Sequence, residues 1–449
     1  MQKGDVLELT IESVGMDGEG VAKQDGMVIF VPFTLVGEIV KCEITFVKKS
    51  FAKAKVIKLL KASEHRVNPI CPHFRKCGGC DMQHINYQRQ LEIKKENIVN
   101  CFKKYAGIDV NINKVVPSKD VFYYRNKAQF PLFERNGKVC LGFYKEKTHD
   151  FVEIEKCFLL GSWCDKITAA FLKVANDLKL TCYNEKKHKG LLRHLVLRKL
   201  NEAVSVTIVV NSKKFNYTED FVKELSKIGI KFSLYVSYNT EKTNLIMTNA
   251  FNLYGDKDIQ TEILNIKTFV NPMSFMQIND YIRDMIYTKV KDIVSASKSK
   301  IVVDSYSGVG VLSNIIASIA DKVYGIEIVP QAVTNANQLA KINGFDKKII
   351  NICGDSAVEL PKLAEQLNNQ DFITILDPPR KGCDQKVLEG LLKAKPSKII
   401  YISCNPATLA RDVALLKQNY KITLLEPYDM FPHTSHVETL VCLNRKEQK

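Results

Sequence analysis

The sequence predicts an α/β protein: a doubly wound, Rossmann-like sheet in the C-terminal part, preceded by an OB-like β-barrel and a central α+β region. Three observations carry that prediction. From Asp280 onward, short apolar strands alternate with helical stretches. Residues 1–60 read instead as short alternating strands punctuated by glycines. The length of 449 residues, with 45% hydrophobic and 25% charged residues, is that of an ordinary globular chain of roughly three domains. The same composition excludes disorder, collagen and coiled coil as the main architecture. The expected division is 1–60, 61–270 and 271–449.

In the first segment, residues 6–11, 27–31 and 39–44 alternate apolar and polar, and Gly15, Gly18, Gly20, Gly26 and Gly37 supply the turns. Five short strands of this kind suit a small closed barrel of the oligonucleotide-binding type. Its charge is uneven: from Lys41 to Lys61 there are seven lysines and one acid, Glu43, with Phe46 and Phe51 interleaved. Lysines beside aromatic rings suit a sugar-phosphate backbone with stacked bases, which makes Lys48, Lys49, Phe51 and Lys53 candidate RNA contacts. The same stripe reads equally well as a solvated strand edge guarded by lysines.

In the second segment, a cysteine-rich stretch at 71–80 precedes an expected helix over 81–110, rich in Gln, Glu and Lys, that can pack on the C-terminal part. Residues 122–251 mix strand-like runs with helical ones.

In the third segment, residues 301–304 form a strand that ends in Asp304-Ser305-Tyr306-Ser307-Gly308-Val309-Gly310 and runs into a helix. Glycines at such a turn let a ligand approach the backbone. As a dinucleotide fingerprint the motif is defective, because Ser313 stands where a third glycine belongs. The next strand ends in Glu327, placed for ribose hydroxyls, and the third in Gly354-Asp355, placed for an adenine amino group. Acids at three successive strand ends read as a site for S-adenosylmethionine rather than NAD. The fourth strand ends in Asp377-Pro378-Pro379-Arg380. Two prolines hold that carboxylate rigidly. An arginine where amino-group methyltransferases carry a stacking aromatic argues against an exocyclic amine as acceptor.

The fifth strand ends in Ser403-Cys404-Asn405-Pro406, and Glu438 opens a final strand after Phe431-Pro432-His433-Thr434-Ser435-His436. A cysteine at the carboxyl end of a sheet strand faces the crevice where the other strand ends gather. Thiol plus carboxylate beside a methyl donor suits uracil. Carbon 5 of that base becomes nucleophilic only when a thiolate adds to carbon 6, and a base must afterwards remove the carbon-5 proton.

The motifs at 304–310, 377–380, 403–406 and 436–439 resemble those of the RNA uracil-5-methyltransferase family, over nearly the whole chain. Residues 1–60 resemble its TRAM RNA-binding domain. The resemblance implies Cys404 as nucleophile and Glu438 as base. It places Asp377 near cofactor and uracil, and Gln277, Tyr306 and Glu327 at the cofactor beside Gly308 and Asp355. Some relatives carry Asn where this chain has Val311.

Cys71, Cys77 and Cys80 lie within ten residues, and Cys157 is the best fourth ligand. Four thiolates without histidine suit zinc or an iron–sulfur cluster. The family resemblance implies a 4Fe-4S cluster. A TRAM-like domain together with four cysteines implies an enzyme acting on large-subunit (23S) ribosomal RNA before full ribosome assembly, whereas transfer-RNA relatives are expected to resemble the catalytic part alone. The rival readings are methylation of a transfer-RNA uridine, cytosine-5 methylation, and an RNA-binding protein or chaperone with a redox-sensing cluster.

The formal net charge of +16 favours a polyanionic partner. Neither a signal-peptide pattern at Met1-Gln2-Lys3 nor a long apolar run is visible, so a cytoplasmic location without membrane or obligate protein partner is expected. Thirteen cysteines, an odd count, fit ligands and nucleophiles better than a disulfide framework.

Overall fold

A computed structural model of the chain describes residues 1–15, 17–146, 148–367 and 370–447. Alternation dictates the N-terminal sheet. Val40, Cys42, Ile44, Ala52 and Ala54 point inward and are buried, while Lys41, Lys53 and Lys55 between them face solvent. Six strands result, in the order Val6–Thr10, Ile39–Val47, Phe51–Lys61, Met27–Val31, Gly20–Gln24, Ser13–Val14. Five were expected. Residues 48–50 turn the lysine-rich stretch back on itself, the Lys48 N–H donating to the Phe51 carbonyl at 2.8 Å. At the exit of this unit, Arg66 grips the buried Glu38 carboxylate with two bonds of 2.5 and 2.7 Å.

The helix expected over 81–110 is shorter than the sequence suggests. It spans Tyr87–Cys101 and continues as a single π-helical turn, Phe102–Ala106. Asn86 starts it by accepting the Arg89 N–H at 2.9 Å. Residues 81–85 do not join: Asn86 is extended (ψ 150°) with its N–H donated to the His65 carbonyl, Ile85 bridges Arg66, and the N–H groups of Asp81 and Met82 hold the His433 carbonyl. The helix does pack on the C-terminal part: Leu91, Ile98 and Phe102 share a core with Leu409, Val413 and Leu416.

The middle of the chain builds a mixed seven-stranded sheet with the helices Ser162–Asp177 and Thr218–Ser226 against it. Its strands Leu192–Leu200 and Ala203–Val210 are almost wholly buried. A hairpin, Ile259–Ile263 with Ile266–Val270, packs instead beside the first helices of the C-terminal sheet.

That last sheet has seven strands, in the order Ile349–Cys353, Lys322–Glu327, Ile301–Ser305, Ile373–Leu376, Lys398–Ser403, Glu438–Arg445, Tyr420–Tyr428. Five consecutive strands pair in parallel; the central ones are buried on both faces as crossover helices require, while the edge strand Ile349–Cys353 is partly exposed. Only Glu438–Arg445, wedged between Lys398–Ser403 and Tyr420–Tyr428, runs antiparallel to its neighbours. Strand order reverses beside Ile301–Ser305, whose next neighbour is Ile373–Leu376. A crevice at such a reversal is where ligands of open α/β sheets bind. No helix of the described residues is long and apolar enough to cross a membrane.

Candidate active site

The crevice forms at the ends of Ile301–Ser305 and Ile373–Leu376. Asp304, Tyr306, Gly308 and Asp377 line one cavity with Phe275, Met276 and Gln277 from the segment that precedes helix Asp280–Ser295. The turn after Ser305 is tight. Tyr306 sits in left-handed backbone (φ +67°), as does Gly310 (φ +80°), where a Cβ would lie 3.0 Å from that of Ala336. Glycine at 310 therefore allows the following helix to start close to its neighbour. Gln277 is positioned through its carbonyl, which accepts the Asn126 side-chain N–H at 3.0 Å.

The acids of the crevice differ in what holds them. Glu327 accepts the Gly308 N–H at 3.0 Å and the Val329 N–H at 2.9 Å, which fixes its carboxylate at the glycine turn. Asp355 caps helix Ser356–Gln366, accepting the Ala357 N–H at 2.9 Å, and lies outside the lining of the cavity at Asp304. Asp304 is buried and accepts the Ser313 hydroxyl at 2.5 Å. Ser313, which spoils the dinucleotide fingerprint, thus has a structural task. Burial pushes Asp304 up to about 7, and the Glu327 charge adds to it. Asp377 is pushed up to about 7 as well, by burial and then by Asp304.

Cys404 and Glu438 come together through one pairing. Lys398–Ser403 and Glu438–Arg445 are antiparallel with Ser403 opposite Thr439, so one strand ends where the next begins. The residue after the first strand and the residue opening the second share the crevice edge. Asn405 shapes the turn beyond Cys404: its side chain accepts the Ala407 N–H at 3.1 Å and donates to the Arg380 carbonyl at 3.2 Å. Arg380 in turn approaches His436 at 3.5 Å. Burial pushes the Cys404 thiol up to about 11; the Glu438 charge adds to this and Arg380 opposes it. Glu438 is held well above the usual carboxylate range by burial, then by Asp377, with Arg380 again opposing. At this edge a thiol therefore lies beside a carboxyl, burial disfavouring the charged form of each and the Arg380 guanidinium favouring it.

The four cysteines also converge. Cys71, Cys77, Cys80 and Cys157 line one cavity of about 610 Å³. Between Cys77 and Cys80 the backbone runs so close to a neighbouring loop that a Cβ on Gly78 would lie 3.0 Å from the Glu146 backbone. Burial raises the Cys77 thiol to about 11; the Gly79 N–H and Arg125 favour its thiolate, while Cys157 and Cys71 disfavour it. Among the described residues, no group of three or more His, Cys, Asp or Glu side chains converges closely enough to hold a single metal ion.

In the N-terminal sheet, Lys48 lies 5.8 Å from the ring centroids of both Phe46 and Phe51, and Phe51 meets Phe30 edge-on at 5.8 Å. Phe51 and Lys53 share one face of their strand, and Lys53 lines a groove of about 290 Å³ that reaches Asp81. Lys49 lies in the turn before them. Lys55, by contrast, pairs with Glu43 at 3.0 Å.

Sequence reasoning missed what supports the Glu438 approach. Lys94 and Asp429, both wholly buried, form an ion pair of 2.5 Å across 335 residues of sequence. Only the helical position of an inward-facing lysine could have signalled it.

Residues 86–446 match the family described as tRNA (Uracil-5-)-methyltransferase, and residues 1–57 match the TRAM domain. A chain of Clostridium acetobutylicum named an uncharacterized RNA methyltransferase is 35% identical over 457 residues, spanning 100% of this chain and 99% of its own. Another of that name, from Staphylococcus aureus, is 36% identical over 451 residues and 99% of each chain. Among solved structures, a Pyrococcus abyssi tRNA (uracil-54, C5)-methyltransferase in complex with S-adenosyl-L-homocysteine is similar at a TM-score of 0.78 and 28% identity, covering 97% of this chain and 100% of that one. That coverage overturns the expectation that transfer-RNA relatives resemble the catalytic part alone.

Proposed function

This chain belongs to the tRNA (uracil-5-)-methyltransferase family, an S-adenosylmethionine-dependent RNA methyltransferase family, and from that premise we propose that it methylates carbon 5 of a uridine in 23S ribosomal RNA through a covalent Cys404 adduct. The observation that carries the mechanism is the pairing of Ser403 with Thr439, which brings a thiol and a carboxyl to one crevice edge beside Asp377. Cys404 adds to carbon 6 of the uracil as its thiolate, the thiol proton having passed to solvent, and the electrons of the carbon 5–carbon 6 π bond move onto the ring as an enolate. Carbon 5 of that enolate then takes the methyl group that bound S-adenosylmethionine would supply, the electrons of the donor's carbon–sulfur bond staying on its sulfur. Glu438 removes the carbon-5 proton, the ring double bond re-forms, and the electrons of the breaking carbon–sulfur bond return to sulfur. The Glu438 charge disfavours the Cys404 thiolate and Arg380 favours it, while Arg380 also favours the Glu438 carboxylate that the last step needs. Once sulfur is bonded to carbon, its charge is gone and no longer opposes ionisation of Glu438.

Asp304, Tyr306, Gly308, Gln277 and Asp377 would line the cofactor, with Glu327 and Asp355 at its nucleoside end. In the proposed division of labour, residues 1–60 grip RNA through Lys48, Lys49, Phe51 and Lys53, residues 61–270 carry the cysteine site, and residues 271–449 carry out the chemistry in a cytoplasmic setting. Cys71, Cys77, Cys80 and Cys157 would hold a 4Fe-4S cluster, which supplies a cross-link between distant chain segments and no step of methyl transfer. A cluster spreads its thiolates around a body larger than one ion. Thiols that share a cavity without meeting at a point suit it better than zinc.

The second reading, a transfer-RNA uridine, is favoured by the Pyrococcus abyssi likeness, because the whole set of chain segments is shared with an enzyme named for that substrate. One experiment addresses mechanism and substrate together. The purified protein is incubated with S-adenosylmethionine and either 23S ribosomal RNA or transfer-RNA transcripts containing 5-fluorouridine. Fluorine cannot leave as a proton, so the adduct should survive a denaturing gel with the ribosomal transcript and vanish in Cys404→Ala. A band with transfer RNA alone selects the second reading. No band with either RNA, from folded protein, overturns the mechanism.

A further inference from the structure

Glu438 is delivered by the loop 429–437, and that loop is fastened from three directions. Helix Tyr87–Cys101 supplies the first. Gln90 accepts the His433 N–H at 3.0 Å and meets the His433 ring at 3.2 Å, while Lys94 donates to Asp429 at 2.5 Å and to the Phe431 carbonyl at 3.1 Å. The second is Phe122, stacked on the His433 ring at 4.2 Å. The third is the peptide that leaves Cys80. The N–H groups of Asp81 and Met82 donate to the His433 carbonyl at 3.2 and 3.0 Å, and the Ser435 hydroxyl donates to the Asp81 carboxylate at 2.9 Å. Under this grip His433 adopts a left-handed backbone (φ +68°), which a side-chain-bearing residue keeps only when its surroundings over-determine it.

We infer that Gln90 and the Asp81–Ser435 contact are positioning elements for Glu438, so that the order of the cysteine segment is transmitted directly to the proton-removal step. The inference rests on the reading of Cys404 as nucleophile and Glu438 as base. His433 stands five residues before Glu438, and Asp81 shares a peptide bond with Cys80. No side chain intervenes between the segment holding the thiols and the loop holding the carboxyl. Gln90 and Lys94 lie one helical turn apart, so both face the loop together. The arrangement separates two parts of the cycle. Cys404 is held by its own strand and by Asn405, outside this clamp, so carbon–sulfur bond formation suffers far less than proton removal when the clamp loosens. Only removal of the carbon-5 proton needs the carboxyl at its station, and a displacement of about 1 Å at such a group can cost about a hundredfold in rate.

The test uses the full chain with Gln90→Ala and, separately, Ser435→Ala, a half-buried position that leaves the helix intact. Both variants should lower kcat by about tenfold to a hundredfold with KM within about twofold of the parent. With ordinary uridine-containing RNA they should also accumulate a denaturation-resistant protein–RNA adduct that the parent does not show. General loss of structure would lower adduct and product together. A fall in kcat without adduct, or no fall in both variants, overturns the inference. The same variants with 5-fluorouridine RNA supply the control: a parent that gives no adduct there refutes the nucleophile assignment itself, and this inference with it. If Gln90→Ala does not fold, Ser435→Ala decides alone.

Discussion

Replacing Asp304 by Asn should stabilise the ligand-free protein at alkaline pH and change its stability little at pH 5.5. Asp304 is 2% exposed and pushed from 3.8 up to about 7, chiefly by burial, with Glu327 adding to the shift and the Ser313 hydroxyl opposing it. A carboxyl raised in the folded state contributes its full stability only below the unfolded value, and loses it progressively as pH rises to the folded one. Linkage of about 1.4 kcal/mol per pH unit over that interval gives an upper bound of about 4 kcal/mol of destabilisation above pH 7, and about 2 kcal/mol at pH 5.5. Asparagine removes the ionisation and keeps an oxygen for the Ser313 hydroxyl, but buries an amide N–H whose lack of a partner costs about 1–3 kcal/mol. The balance is a gain of about 1–3 kcal/mol at pH 8.5 and a change of no more than about 1 kcal/mol in either direction at pH 5.5. Urea unfolding followed by far-ultraviolet circular dichroism at both pH values measures it. A variant no more stable than the parent at pH 8.5, or displaced equally at both, would refute the reasoning.

Two further outcomes follow from the rest of the molecule. Changing Lys48, Lys49 and Lys53 together to Gln should weaken RNA binding and reduce the slope of log affinity against log salt by about 2–3, since each lost phosphate contact removes about 0.7–0.9; an unchanged slope would mean that these lysines only guard a strand edge. Anaerobically purified protein should be brown with broad visible absorbance that disappears in Cys80→Ser, and a colourless protein carrying stoichiometric zinc would refute the cluster.

The C-terminal sheet was legible because its strands are short apolar runs, the central ones buried on both faces. The strand expected at 301–304 falls on Ile301–Ser305, and those expected to end at Gly354-Asp355 and at Ser403 fall on Ile349–Cys353 and Lys398–Ser403. Periodicity also found the N-terminal sheet, but it missed the turn at 48–50, where no glycine or proline marks the reversal. The helix start was misplaced for a tertiary reason. Residues 81–85 have a helix-compatible composition, yet Ile85 bridges Arg66 and the N–H groups of Asp81 and Met82 go to a carbonyl some 350 positions away in sequence. The same distance hid the whole fastening of the Glu438 loop. Local pattern reports which face of an element is apolar, not which distant backbone it meets. Cys404 and Glu438 were legible because sulfur and carboxylate at strand ends are chemically conspicuous. The convergence of Cys157 with the other three thiols was suggested by counting ligands, and the cavity they share is visible only in the fold.

The antiparallel strand that opens with Glu438 has a consequence for the order in which competence arrives. A growing chain makes Cys404 thirty-four residues before Glu438, and the later strand must slot between Lys398–Ser403 and Tyr420–Tyr428, both already synthesised. On the roles proposed here, a chain that has folded around Cys404 alone could seize an RNA but not release it. Insertion of that strand is what turns a single-use alkylation trap into a catalyst that survives its own reaction.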